Sequence, residues 1–224
     1  MNTIKPFYIL CCLLLIDTIF IVLHILYSFD FIEGKKFKTS YDGGYGEIFQ
    51  YIKFVSTGII LLYLSVILRS KMLIFWASLA IFLFLDDWKK IHESLGGKVM
   101  GAYLKPLMKD SYHYGQAFYG IIAGVVFSLL AWHWWKTATK EVKKLSVQLF
   151  SALALIWFSA VVIDYIHAIY VTREYNLIGV LLEEGGEHLG ATLMLWFSYR
   201  FLMSRRSQPA SDAKPPENEA TTFR

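Results

Sequence analysis

Cysteine is nearly absent: the chain has two, Cys11 and Cys12, side by side in its first apolar run. Neighbours on a helix point about 100° apart, so no bridge joins them and a disulfide framework is excluded. Both read as small apolar packing residues. Charge is scarce as well, at 18% of residues against about 25% in a soluble domain, and it is bunched between long apolar runs. No sign dominates. The net charge of +4 sits largely in loops and tail, so nothing points to a nucleic-acid partner. There is no internal repeat, Walker loop, G-x-S-x-G or H-E-x-x-H, so those phosphate, nucleophile and zincin chemistries have no motif here.

What the chain has in quantity is apolar surface: 56% hydrophobic and 17% aromatic residues, with mean hydropathy +0.45. A helix needs about 20 apolar residues to cross the hydrocarbon core. Apolar length gives six candidate spans at 7–27, 49–68, 72–95, 114–135, 145–170 and 177–203. The reading is an all-α polytopic membrane protein, a bundle of six transmembrane helices over 1–203, with a disordered tail over 204–224. The first run, Phe7–Tyr27, exceeds the signal-peptide h-region of about 7–15 residues and no A-x-A-like site follows, so it reads as a retained helix. With the N-terminus inside, the inner pieces carry Lys5, Arg69, Lys71, Lys136, Lys140, Lys143, Lys144, Arg205 and Arg206 against one acid, Glu141. The outer pieces mix seven basic with six acidic residues. Both termini are therefore expected in the cytoplasm.

This topology brings charges to one depth. Asp86, Asp87, His92 and Glu93 lie in the outer half of the third span, Asp164 and His167 near the outer end of the fifth. Glu183 falls roughly 9 Å into the sixth at 1.5 Å per residue. On that last helix Glu183 and Glu187 are four apart, as are Glu184 and His188, giving two adjacent polar stripes. Gly185, Gly186 and Gly190 lie among them and let neighbouring backbones approach. Asp86 and Glu93, seven apart, are expected nearly eclipsed on one helix. Asp164 and His167, three apart, can reach one ion. Asp17 and His24, seven apart on the first helix, are assigned a supporting role behind the ligands.

Carboxylates crowded in low dielectric cannot all stay ionised; they take up protons or a cation. Carboxylate with imidazole suits zinc, iron or manganese, as one ion or two. The expected ligands are His92, Asp164, His167, Glu183, Glu184, Glu187 and His188, with Asp86 or Glu93 as general base. Asp87 reads as facing the aqueous edge and ranks below Asp86 as a ligand. The competing view is a structural network with Lys89, Lys90 or Arg173 as counter-ions. Lys53 reads as snorkelling to the outer boundary. His113, His133, Trp88 and the "WHWW" at 132–135 read as ordinary interfacial residues. The loop 28–48, with "YDGGYGE", reads as a connection and, in a functional version, as a lid.

At "LDDWKKIHE" and "LLEEGGEHLGATLMLWFSYRFL" the chain resembles uncharacterised bacterial polytopic inner-membrane proteins. These carry an Asp, then His-Glu six residues on, and a later Glu-rich helix ending in an aromatic–Arg segment. The resemblance covers about a third of the chain, implies a plasma-membrane location and brings no activity. A more distant similarity is to the membrane hydrolase superfamily that includes alkaline ceramidases, which implies zinc held by Asp and His on several helices. The chain lacks that group's paired His-x-x-x-His and is one helix short. The expected function is a membrane-embedded, metal-dependent enzyme, a hydrolase or di-metal oxidoreductase, acting on a lipid or apolar substrate at the non-cytoplasmic side. The alternatives are a proton- or metal-ion-coupled transporter and an accessory subunit whose polar cluster locks helices together.

Overall fold

The computed structural model describes residues 5–107, 111–170 and 175–206, and among these every regular element is helical. α1 (Pro6–Ser28) starts on proline, whose fixed φ and missing N–H suit the first helical turn. Only two of its 23 residues are buried, and both are polar: Asp17 and His24. Leu15, Ile19 and Val22 face outward. α2 (Tyr45–Leu68) likewise buries Gln50, Lys53, Thr57 and Ser65 beside Phe54, Leu61 and Leu64, and leaves Ile52, Ile59, Leu62 and Val66 exposed. Polar groups turned inward and branched aliphatics turned outward reverse the pattern of a water-facing helix. Both cysteines of α1 are exposed, not packed.

Four helical stretches are long and apolar enough to cross a membrane: Pro6–Ser28, Tyr45–Leu68, Ser111–Trp135 and Lys140–His167. The sequence pattern had suggested six. The two that fall short are the ones that carry the clustered charges. α3 (Lys71–Lys89) ends in Asp86, Asp87 and Lys89, and α8 (Asn176–Arg206) holds Glu183, Glu184, Glu187 and Arg200. At 31 residues, α8 is about 46 Å long at 1.5 Å per residue, and it runs through Ser204–Arg206, where a disordered tail was expected. The rest of the tail, from 207, and Arg173 lie outside the described residues.

The third span is broken. α3 stops at Lys89, Lys90 takes a left-handed conformation (φ 51°), and a π-helical stretch, His92–Met100, leads into the short α4 (Gly101–Leu104). Asp86 and Glu93 are thus on two elements, not eclipsed on one. The π stretch lies against α5 (Ser111–Trp135) at backbone contact: a Cβ on Gly115 would stand 2.2 Å from the Gly96 carbonyl. The fifth span has α6 (Lys140–Trp157), a second π stretch (Phe158–Ile163) and α7 (Asp164–Tyr170) in one run. A Cβ on Gly186 would stand 2.0 Å from Ser159 Oγ, which is why α8 passes so close to the second π stretch. π-helical turns are rare and frequently mark functional sites.

Cross-contacts sort the helix ends. Trp196 donates to the Pro6 carbonyl, Arg205 pairs with Glu141, Lys71 lies over Trp134 and Lys143 over Trp135. The start of α1, the α2–α3 and α5–α6 connections and the end of α8 therefore gather at one end. At the other end His24 meets Thr39, Lys90 meets Asp42 and His167 meets Glu183. The apolar core, with Leu61, Leu73, Trp76, Leu149 and Met194, lies between α2, α3, α6 and α8. Within it Trp76 Nε1 donates to Ser146 Oγ at 2.9 Å.

Candidate functional site

Eight helical elements and a loop converge on one cavity of about 990 Å³. The last turn of α3 supplies Asp86 and Asp87, and the break at Lys90 swings His92 and Glu93 of the π stretch onto the same wall. α7 brings Asp164, α8 brings Glu183, Glu184 and Glu187, and α2 adds Glu47 and Gln50. α5 adds Tyr112, His113, Gln116 and Tyr119, and the loop before α2 adds Thr39 to Asp42. Farther in, the lining is Phe75, Leu79, Phe82 and Leu83 of α3, Ile121, Val125 and Phe127 of α5, and Phe150, Leu153 and Trp157 of α6. From Asp86 to Phe75 this wall runs about 16 Å at 1.5 Å per residue. One end is acidic and the rest is apolar.

At the acidic end the contacts are specific. His92 Nδ1 lies 3.1 Å from Asp86 Oδ2, and Tyr119 donates to Asp86 Oδ1 at 2.9 Å. Both oxygens of Asp86 are engaged. Gln50 Nε2 donates to Glu187 Oε2 at 3.1 Å. Glu47 is held by the Gly43 amide and the Tyr51 hydroxyl. Glu184 has no hydrogen-bond partner among the described residues. Lys90 is the one lysine or arginine among the described lining residues, and it is occupied by Asp42 and, at 3.6 Å, by Glu93. Two like charges 4 Å apart repel by about 4 kcal/mol at an effective dielectric of about 20, so this set asks for a cation or for protons.

Asp86, Asp87 and His92 each offer a ligand atom, and the three atoms lie within 4.8 Å of one another. For all three to hold one ion, the ion takes the place of the His92–Asp86 hydrogen bond, with Asp86 kept in position by Tyr119. Two carboxylates and an imidazole form a donor set for zinc, iron or manganese. Asp87, ranked below Asp86 from the sequence, is an equal member. Among the described residues this is the one three-ligand group, so the two-ion version has no second group of its own.

Of the other expected ligands, Asp164, Glu183, Glu184 and Glu187 line the same cavity, whereas His167 and His188 do not. His167 has Nδ1 2.9 Å from Glu183 and Nε2 3.1 Å from Asn176, so both ring nitrogens are taken, and His167 itself does not line the cavity. His188 is only 2% exposed and belongs to a separate buried group. There Lys53 Nζ donates to Asp17 Oδ1 at 2.8 Å, lies 3.2 Å from His188 Nδ1, and donates to the His188 carbonyl at 2.9 Å. Thr192 donates to Asp17 Oδ2 at 2.5 Å. Lys53 does not snorkel: it is 0% exposed, because these acceptors surround its ammonium one turn beyond Gln50. Asp17 thus supports a buried ion pair and touches no member of the Asp86–Asp87–His92 group. His24 accepts from the Thr39 amide at 3.0 Å and lies 3.1 Å from its hydroxyl, pinning the loop to α1. Lys89 lies over the Trp88 ring and is no counter-ion to the acids.

Several lining residues escaped the sequence reading. Glu47 was left in a loop although it opens α2; an acid at the outer boundary of a span was the available signal. Tyr119 and Gln116 carried none, since an aromatic–polar stretch reads as interface. His113, read as interfacial, lines the cavity with its Nδ1 buried and without a hydrogen-bond partner.

The chain belongs to the family described as a domain of unknown function (DUF8692), which matches residues 45–202. The match takes in every cavity-lining helix and leaves out α1 and the loop that follows it. No curated protein and no solved structure matches the chain.

Proposed function

We propose that this DUF8692 protein is an integral membrane enzyme, with both termini cytoplasmic, that holds one divalent metal ion at Asp86, Asp87 and His92 and acts on a lipid or other apolar substrate. Six crossings are retained in this reading, with α3 and α8 spanning beside the four fully apolar helices and their charges turned into the cavity, away from lipid. The observation that carries it is the single cavity with metal-suited donors at one end and an aromatic slot at the other. Ile121, Val125 and Leu129 of α5 line this cavity and are also 49%, 54% and 65% exposed. That flank gives a membrane-dissolved substrate a lateral way in.

A bound ion would supply an activated water, with its pKa lowered towards about 7. The chain's own residues do the rest. Tyr119 fixes Asp86 in place, and its role as a ligand removes it as a base. Glu93, on the same wall and balanced by Lys90, takes up the proton. The loop Thr39–Asp42, tied to α1 through His24 and to Lys90 through Asp42, screens this end from bulk water.

Metal analysis of protein purified after incubation with zinc, iron or manganese tests the reading. About one ion per chain is expected, lost in Asp86→Asn and His92→Ala and kept in His167→Ala. Wild-type protein without metal, or equal loading in all variants, overturns it. A second reading, ion- or proton-coupled transport, is favoured by one observation: the Asp17–Lys53–His188–Thr192 group puts polar residues at a second, deeper level. Proteoliposome flux that is lost in Asp17→Asn and kept in Asp86→Asn would select it.

A further inference from the structure

We infer that the substrate is a single-chain amphiphile whose headgroup is a cationic amine, with the ammonium seated against the α8 carboxylates and the hydrocarbon tail in the aromatic slot. The inference deepens the reading above and rests on its lipid-substrate half, not on the metal.

The head follows from charge. Glu183, Glu184 and Glu187 of α8 and Asp164 of α7 line the same cavity as the Asp86–Asp87–His92 group. The cavity's one lysine is already neutralised by Asp42 and Glu93, and a single divalent ion offsets part of the remaining negative charge. An anionic head would enter against that field, whereas an ammonium is drawn into it. Glu184 lacks any hydrogen-bond partner among the described residues, and the unpartnered His113 Nδ1 borders the same space. One carboxylate and one imidazole nitrogen are thus left to receive N–H donors.

The tail follows from shape and from its source. The slot is lined by Phe82, Phe127, Phe150 and Trp157 and is bordered on α5 by the exposed Ile121 and Val125. Lipid tails are as apolar as the side chains they would meet, so moving a tail from bilayer to slot gains little. Selection then rests on the head. That is why a binding preference between heads on the same chain is the decisive measurement.

Trp157 supplies a native reporter. It lines the slot, with its Nε1 donating to the Gly120 carbonyl at 3.1 Å; the other six tryptophans do not line it. The protein is reconstituted in nanodiscs of zwitterionic lipid and titrated with a chain-brominated long-chain amine, the matched carboxylate and the matched alcohol, each expressed as mole fraction in the bilayer. The bromine-quenched component that disappears in Trp157→Phe reports slot occupancy. The amine is expected to half-saturate at least tenfold below the carboxylate and the alcohol, with that preference lost in Glu184→Gln and kept in Asp30→Asn, an exposed acid outside the cavity lining. Equal half-saturation for the three heads, or quenching unchanged in Trp157→Phe, overturns the inference. If metal loading at Asp86 and His92 is normal in the same preparation, the metal reading stands while the amine assignment falls.

Discussion

Removing the Asp17 carboxylate tests how α1 is held. Because α1 buries only Asp17 and His24, its attachment depends on polar contacts, and Asp17 carries three of them, to Lys53, His188 and Thr192. Asp17→Ala strands the Lys53 ammonium, which has no exposed surface. Removing one partner of a buried pair costs about 3–5 kcal/mol, while replacing both with apolar groups is often close to neutral. For a chain of this size about 1 kcal/mol shifts the melting temperature by roughly 2–4 °C. The single variant should therefore melt roughly 6–20 °C below wild type in a mild detergent. The Asp17→Ala/Lys53→Met double variant should recover at least half of that loss. The readout is thermal unfolding of the four proteins of this cycle, with Glu184→Gln as a control expected to match wild type because Glu184 has no partner to strand. A loss below about 1 kcal/mol in Asp17→Ala, the range of an exposed pair, would refute the claim that this pair anchors α1. So would a double variant no more stable than the single one.

The glycines of α8 give a sharper steric contrast. Gly186→Ala should destabilise by about 1–3 kcal/mol, since its Cβ would meet Ser159 Oγ at 2.0 Å, whereas Gly185→Ala, whose nearest neighbour is Ile21 at 3.9 Å, should be neutral or better; melting temperatures of the two decide it. Thr39→Val removes the hydroxyl that meets His24 and should speed hydrogen exchange across residues 35–44 while the helices stay protected. Lys90→Ala frees Asp42 and Glu93 at a half-exposed rim, so it should loosen the same loop with less than about 1 kcal/mol of global cost. In the core, Trp76→Phe deletes the bond to Ser146 and should cost about 1–3 kcal/mol by leaving that buried hydroxyl unpaired, read from detergent unfolding.

Helix content, both ends of α1, the C-terminal ends of α2 and α5, and the meeting of acids from three distant segments at one end were all legible in the letters. Those features rest on apolar run length and on alternation of direction along the chain, both local properties. The break at Lys90 was not legible, because a left-handed lysine carries no glycine or proline to announce it. It matters, since it moves His92 and Glu93 onto the wall that α3 ends on. The fate of the histidines was equally hidden. Asp-x-x-His at 164–167 suits an ion by spacing, yet His167 is taken by Glu183 and Asn176 from α8. Lys53 near a span boundary suits snorkelling by depth, yet α1 and α8 hold enough acceptors to keep it inside.

The sequence alone determined that the chain is helical, that its helices are apolar enough to meet lipid, and that its acids and imidazoles collect towards one end. Tertiary structure decided which of them share a space: Asp86, Asp87 and His92 in one cluster, Asp17 with Lys53 and His188 in another. The reason is geometric. Periodicity fixes the direction of a side chain relative to its own helix, but a partner on another helix is chosen by how closely two backbones approach, and that is set by glycines, π turns and the left-handed Lys90 acting together.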